Sequence, residues 1–164
     1  MTWLATALAG TTAGPATAGT SPQTVRARGI TFAWRHQRGR LHGRLSAKTT
    51  GWLAVGFNDE RTLRGTRFVI GHVVSGRTHA EVHIARVPDH AEVGSLGGVS
   101  GLADVGGGRT GDETWLTFSL PLRSGGGFEI DLSPGRTVRL MLAWSLSPDF
   151  DHHSRLREHR DVVL

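Results

Sequence analysis

The sequence predicts an all-β fold, an antiparallel β-sandwich. Three observations carry this reading. Apolar residues alternate or cluster in short runs, and Gly- or Pro-marked turns separate the runs. Nothing between residues 20 and 164 sustains the 3.6-residue apolar period of an amphipathic helix. Glycine fills 23 of 164 positions, about double the background of roughly 7%.

From about Thr24 the elements follow in order. Residues 30–35 (ITFAWR) alternate around Ile30, Phe32 and Trp34. After a turn at Gln37-Arg38-Gly39, residues 40–47 (RLHGRLSA) complete a hairpin. Residues 52–57 (WLAVGF) are short and continuously apolar, as in a strand buried on both faces. Residues 68–74 (FVIGHVV) and 79–86 (HAEVHIAR) flank Ser75-Gly76-Arg77, a hairpin turn. Residues 88–112 contain eight glycines and read as a long loop. Residues 114–120 (TWLTFSL) alternate again, and residues 138–146 (VRLMLAWSL) give the longest strand after the Ser133-Pro134-Gly135 turn. Residues 160–164 close the chain. Such short strands between turn signals suit a sandwich. The domain is expected to span residues 24–164.

Residues 1–20 carry no charged side chain and are rich in Ala, Thr and Gly. Trp3 to Ala9 is a short apolar core, and Ala16-Thr17-Ala18 has the form of a signal-peptidase site. The segment reads as a signal peptide or a disordered tail, and the protein is expected to be secreted or periplasmic.

The composition closes off several chemistries. There is no cysteine, so disulfides, thiolate metal sites, Fe–S clusters, a cysteine nucleophile and covalent haem attachment are all excluded. No apolar run reaches the ~18 residues of a transmembrane helix. The formal charge is +5, but the basic residues, all arginine except Lys48, are scattered among acids. No nucleic-acid-binding motif accompanies them, so no nucleic acid partner is expected. Gly106–Gly108 lack the Lys-Ser/Thr of a phosphate loop and precede a strand. Neither a Ser-His-Asp set nor a carboxylate pair can be assembled, and the chain is read as non-catalytic.

Histidine supplies the candidate sites. Asp149 to Arg157 (DFDHHSRLR) holds His152 and His153. On an extended backbone these two point to opposite faces, so one of them would face a pocket. Arg155 and Arg157 stand beside them and suit either an anionic ligand or Asp149 and Asp151. His90 follows Pro88-Asp89 as a ligand, a proton relay or an exposed loop side chain. His72 reads as a satisfied sheet histidine. His79 and His83 lie four apart on one strand face, about 13 Å, too far for one metal ion, and read as surface. Asn58 ends an apolar strand, where it turns the chain or points its amide into a pocket mouth. Trp52 and Trp144 read as core.

One stretch carries a family resemblance. Residues 51–71 (GWLAVGFNDERTLRGTRFVIG) are similar to the signature of the DOMON domain, with a Gly-Trp strand ending in Gly-Phe, an acidic loop and an Ile-Gly strand. ETWLTFSLPL at 113–122, VRLMLAWSL at 138–146 and His152-His153-Ser154 resemble its later strands and its C-terminal histidine. The resemblance covers roughly residues 28–164. It implies an immunoglobulin-like or jelly-roll sandwich that binds non-covalent haem b, held by a Met after the Gly-Phe strand and a His near the C-terminus. The His falls at His152 or His153. The Met falls at Leu63, which cannot coordinate iron, and Met141 is expected to pack within its strand. His90 or His72 would then be alternative sixth ligands. The implied role is an extracytoplasmic module for electron transfer or redox sensing, with a redox partner protein or a small-molecule ligand. The alternative is a haem-free carbohydrate- or protein-recognition domain.

Overall fold

The computed structural model describes residues 21–164, so the segment read as a signal peptide or tail lies outside the described residues. Eleven strands follow in chain order: β1 (Gln23–Ala27), β2 (Ile30–Gln37), β3 (Arg40–Lys48), β4 (Leu53–Asn58), β5 (Arg67–Val74), β6 (Arg77–Ala85), β7 (His90–Glu92), β8 (Ala103–Thr110), β9 (Glu113–Pro121), β10 (Thr137–Trp144) and β11 (Leu156–Val163). A 3-10 turn, Gly94–Leu96, follows β7. Five strands form one sheet in the order β1-β2-β3-β9-β8, and six form the other in the order β11-β10-β4-β5-β6-β7. All pairings are antiparallel. The fold is the all-β sandwich that the sequence predicts.

Period-2 alternation builds the core. Ile30, Phe32 and Trp34 of β2 and Leu41 and Leu45 of β3 face inward, against Leu53, Val55 and Phe57 of β4 and Val138, Leu140 and Leu142 of β10. Phe32 stacks on Trp34 and Phe118, with centroids at 5.3 and 6.4 Å, and meets Phe57 edge-on at 6.0 Å. Gly43 makes this cluster possible, because a Cβ there would sit 2.6 Å from the Phe118 ring.

Two sequence readings need correction. Residues 88–112 are not a plain loop: they hold β7, the 3-10 turn and all of β8. Glycine's poor strand propensity hides β8, yet tertiary contacts demand glycine there. Gly107 backs onto Thr78 and Gly108 lies under the Trp115 ring, both too close for a Cβ. The last strand also begins earlier than residue 160. Its sequence LREHRDVV is polar on both faces, as befits a strand at the sheet edge, and so it lacks an apolar stripe.

One end of the sandwich is closed by a buried cation. Arg67 is 3% exposed. Its guanidinium donates to Ser124 Oγ (2.8 Å) and to the carbonyls of Phe128 (2.7 Å), Val99 (3.0 Å) and Ser100 (2.7 Å). Burial lowers its pKa, and the oxygens of two loops compensate in place of a carboxylate.

Candidate functional site

An antiparallel sheet in a two-layer sandwich normally turns a polar face to water. Strand β4 departs from this, since all six of its residues are buried. Ala54 and Gly56 face outward, flanked by Trp52, by Phe68 and Ile70 of β5, by Ala85 of β6 and by Met141 and Ala143 of β10. These residues form a second apolar cluster on the outside of the six-stranded sheet. Leu63 and Phe150 cover it from the 59–66 and 145–155 connections. Gly56 sets the floor, because a Cβ there would meet Thr66 Cγ2 at 2.6 Å and Met141 Cβ at 3.2 Å.

Above this floor lies a half-open cleft of about 130 Å³. Its walls are apolar, and Leu63, His90, Asp151, His152, His153 and Arg157 stand around it. The expectation that one of His152 and His153 would face a pocket is corrected, for both line the cleft. Residues 149–152 form a turn, closed by the His152 amide donating to Asp149 O at 3.1 Å, so strand alternation does not apply. Neither imidazole makes a hydrogen bond or ion pair. The carbonyls beside them are fixed instead: Trp52 Nε1 donates to His152 O (3.1 Å) and Ser145 Oγ donates to His153 O (3.1 Å). Trp52 is buried as expected, but in the outer cluster rather than the inner core. Met141 packs within its strand as expected and also lines the cleft.

The arginines separate. Arg157 lines the cleft from β11, whereas Arg155 is exposed outside it and its amide bonds Trp144 O. Neither pairs with Asp149 or Asp151. For Asn58 the chain-turning reading holds and the pocket-mouth reading is corrected. Its amide nitrogen donates to Thr62 O (2.8 Å), Arg64 O (3.2 Å) and Thr66 Oγ1 (3.1 Å), and its oxygen accepts the Glu60 amide (3.0 Å). The side chain is consumed in shaping the loop that carries Leu63, so it does not reach the cleft mouth.

Sequence reasoning missed a linked row of histidines. His83 is buried rather than on the surface. Its Nδ1 lies 2.9 Å from His90 Nδ1, and its Nε2 lies 2.8 Å from Glu81 Oε2. Glu81 Oε1 meets His79 Nε2 at 2.7 Å. The far nitrogen of His90 lies 3.2 Å from Phe150 O, and His72 Nδ1 lies 2.7 Å from Pro148 O. The period-2 spacing of His79, Glu81 and His83 was the available signal, because it puts a carboxylate between two imidazoles on one face. Burial opposes ionisation of Glu81, but hydrogen bonds from His83 and His79 outweigh it, and the carboxyl pKa is lowered. Burial, and then the charge of His83, lower the pKa of His90. Among the described residues no group of three or more His, Asp or Glu is disposed to hold a metal ion.

No family model and no curated protein matches the sequence. Solved structures do match. The cytochrome b domain of pyranose dehydrogenase from Coprinopsis cinerea superposes with a TM-score of 0.59 at 13% identity, over 82% of this chain and 76% of that one. The cytochrome domain of cellobiose dehydrogenase from Myriococcum thermophilum gives 0.54 at 13% identity, over 80% and 70%. The chain has the DOMON-type fold. At this identity the likeness fixes the architecture and leaves the contents of the cleft to its residues.

Those residues fit haem b in their chemistry. The cleft offers apolar walls, two unengaged imidazoles and an unpaired guanidinium, and imidazole and thioether are both haem-iron ligands. Both ring nitrogens of His90 and one of His72 are already engaged, which disfavours them as ligands. The volume is below the ~300–1,000 Å³ of typical ligand pockets, so a haem-sized occupant requires the cover of the cleft to open.

Proposed function

We propose that the chain is a non-catalytic, extracytoplasmic module that binds non-covalent haem b in this cleft and exchanges single electrons with a partner protein. The observation that carries the reading is an apolar cleft on the outer face of a sandwich sheet, rimmed by the unengaged His152 and His153. His152 or His153 supplies the iron ligand. Met141 and the small residues Ala54, Gly56 and Ala143 give the macrocycle an apolar bed. Arg157 suits a carboxylate at its edge. When bound, haem supplies a one-electron iron couple whose potential the axial ligand and burial set. The two structural neighbours, both cytochrome domains of dehydrogenases, support the same role.

The test is an ultraviolet–visible titration of the purified protein with hemin, then dithionite. A sharp Soret band saturating at one haem per chain and shifting on reduction is the expected result. Combined His152→Ala and His153→Ala substitution is expected to abolish it. A spectrum of free hemin throughout would retire the reading. Leu63, where the resemblance places a thioether, and the small volume favour one alternative, a haem-free module for a smaller apolar ligand. That module would bind a fluorescent apolar probe but not hemin.

A further inference from the structure

The histidine row can be counted proton by proton. His83 Nε2 faces the Glu81 carboxylate at 2.8 Å and must carry a hydrogen. Phe150 O only accepts, so His90 Nε2 must carry one to bond it. The two Nδ1 atoms, 2.9 Å apart, need one hydrogen between them. All three contacts are made together only with three protons on the pair. Two neutral rings hold two, and then one contact is lost. Two imidazolium rings hold four, and then two N–H groups oppose each other.

The surroundings favour the intermediate state. Glu81 lies against His83 from β6, and Glu92 is its cross-strand partner on β7. Asp89 and Asp151 act on His90. His79, on β6, and His72, on β5, add imidazoles on the same face. Burial and the charge of His83 disfavour a second charge at His90. The contacts themselves fix two of the three hydrogens, one on His83 Nε2 facing Glu81 and one on His90 Nε2 facing Phe150 O, and the third lies between the two Nδ1 atoms.

This proton has a mechanical consequence. Residues 147–154 lie across the cleft, and side chains bond their carbonyls at four points: Pro148 by His72, Phe150 by His90, His152 by Trp52 and His153 by Ser145. Two of those four bonds come from imidazoles. The Phe150 ring packs on His72 (5.0 Å), His79 (5.7 Å) and His83 (6.0 Å).

We propose that the His83–His90 pair binds one shared proton and through it positions residues 147–154 over the cleft. The segment is held down while the pair carries a single charge. Losing that proton, or gaining a second one in acid, breaks a contact of the row; once the two Nδ1 atoms part, His90 is free to draw away from Phe150 O and release the turn that bears His152 and His153. His90 is thus a positioning residue for the cleft cover. The inference is independent of what the cleft holds.

Two measurements test it on the ligand-free protein. Ring-nitrogen NMR counts the hydrogens on His83 and His90 across pH 5–9. Hydrogen exchange of residues 147–154, corrected for the intrinsic effect of pH, reports the cover. The expected result is three N–H groups on the pair where the segment is most protected, with exchange about fivefold faster on both sides, the scale of one hydrogen bond. His90→Gln keeps an amide donor for Phe150 O and does not titrate. Its exchange is expected to be independent of pH, at whatever level it settles. Exchange that ignores pH in the wild type, a two-proton pair under a protected segment, or a His90→Gln variant with the wild-type pH profile would each overturn the proposal. The proton count uses the unaltered protein and stands even if the variant does not fold.

Discussion

On the five-stranded sheet the outward residues of β2, β3 and β9 include Thr31, Ala33, Arg35, His42, Arg44, Trp115 and Thr117, with Ser119 alone of the β9 set buried, beneath Arg40 and Asp104. The first seven are exposed or half-exposed, and Arg44 lies over the Trp115 ring at 4.9 Å. On the six-stranded sheet the matching positions of β4, β5 and β10 include Ala54, Gly56, Phe68, Ile70, Met141 and Ala143, and all are buried. Both sheets are antiparallel and both cover the same core, so neither pairing nor the core explains the contrast. What differs is a covering layer. Loops rather than a third sheet shield the second face, and they leave a cleft rimmed by ionisable groups. A second apolar surface of this kind marks a binding site more plainly than any single residue does.

The contrast is broken most severely by placing a charge on each face. Ile70→Lys is expected to cost about 3–5 kcal/mol, because the ammonium is buried without a partner. Ala33→Lys is expected to stay within about 0.5 kcal/mol. Urea unfolding at pH 7 compares the two, and equal midpoints would mean that the outer cluster is not a sealed surface. A gentler intrusion is Gly56→Ala. Its new methyl pushes against Thr66 and Met141, and the expected cost is about 1–3 kcal/mol. Hemin affinity should fall with it, whereas a floor that is not part of the site would leave affinity unchanged.

Leu63→Met sharpens the comparison from the cover side. The swap nearly conserves volume and should cost under about 1.5 kcal/mol. It places a thioether in the cleft, so the spectrum of the reduced hemin complex is expected to change. An identical spectrum would show that residue 63 does not reach the iron. The smallest effect is expected at the β11 edge, away from the cleft. Asp161 accepts from Arg139 (2.8 Å) and Arg61 (2.6 Å). The Arg139 hydrogen bond, and then the neighbouring guanidinium charges, outweigh its slight desolvation and lower its pKa. Its stabilisation is therefore complete above the ordinary carboxylate range and lost as pH falls through the lowered folded-state value. Asp161→Asn should be slightly less stable than wild type at pH 7, and the difference should shrink as pH falls through that lowered value. A gap that persists in acid would point to packing instead.

Much of this was legible in the sequence. The unbroken apolar run of β4 announced a strand buried on both faces, and the Gly- and Pro-marked turns located most hairpins. His152, His153, Arg157 and Leu63 all stand at the cleft. The rest was hidden for physical reasons. Strand β8 is specified by the Trp115 ring and by Thr78 and Thr117 packing on its glycines from other strands, which no local pattern encodes. The placement of His152 and His153 depends on a turn rather than on strand period. Asn58 had an equally plausible use in its own loop. The link from His83 to His90 crosses between two strands, and its meaning depends on a tautomer that sequence spacing cannot express.

The buried Arg67 bears on how the molecule can be engineered. One guanidinium ties the backbone at Val99 and Ser100 to that at Ser124 and Phe128. Neither loop can be lengthened or cut without stranding a cation inside the protein. The exposed Ser75-Gly76 turn carries no such tie. A graft, an affinity tag or a circularly permuted terminus belongs there.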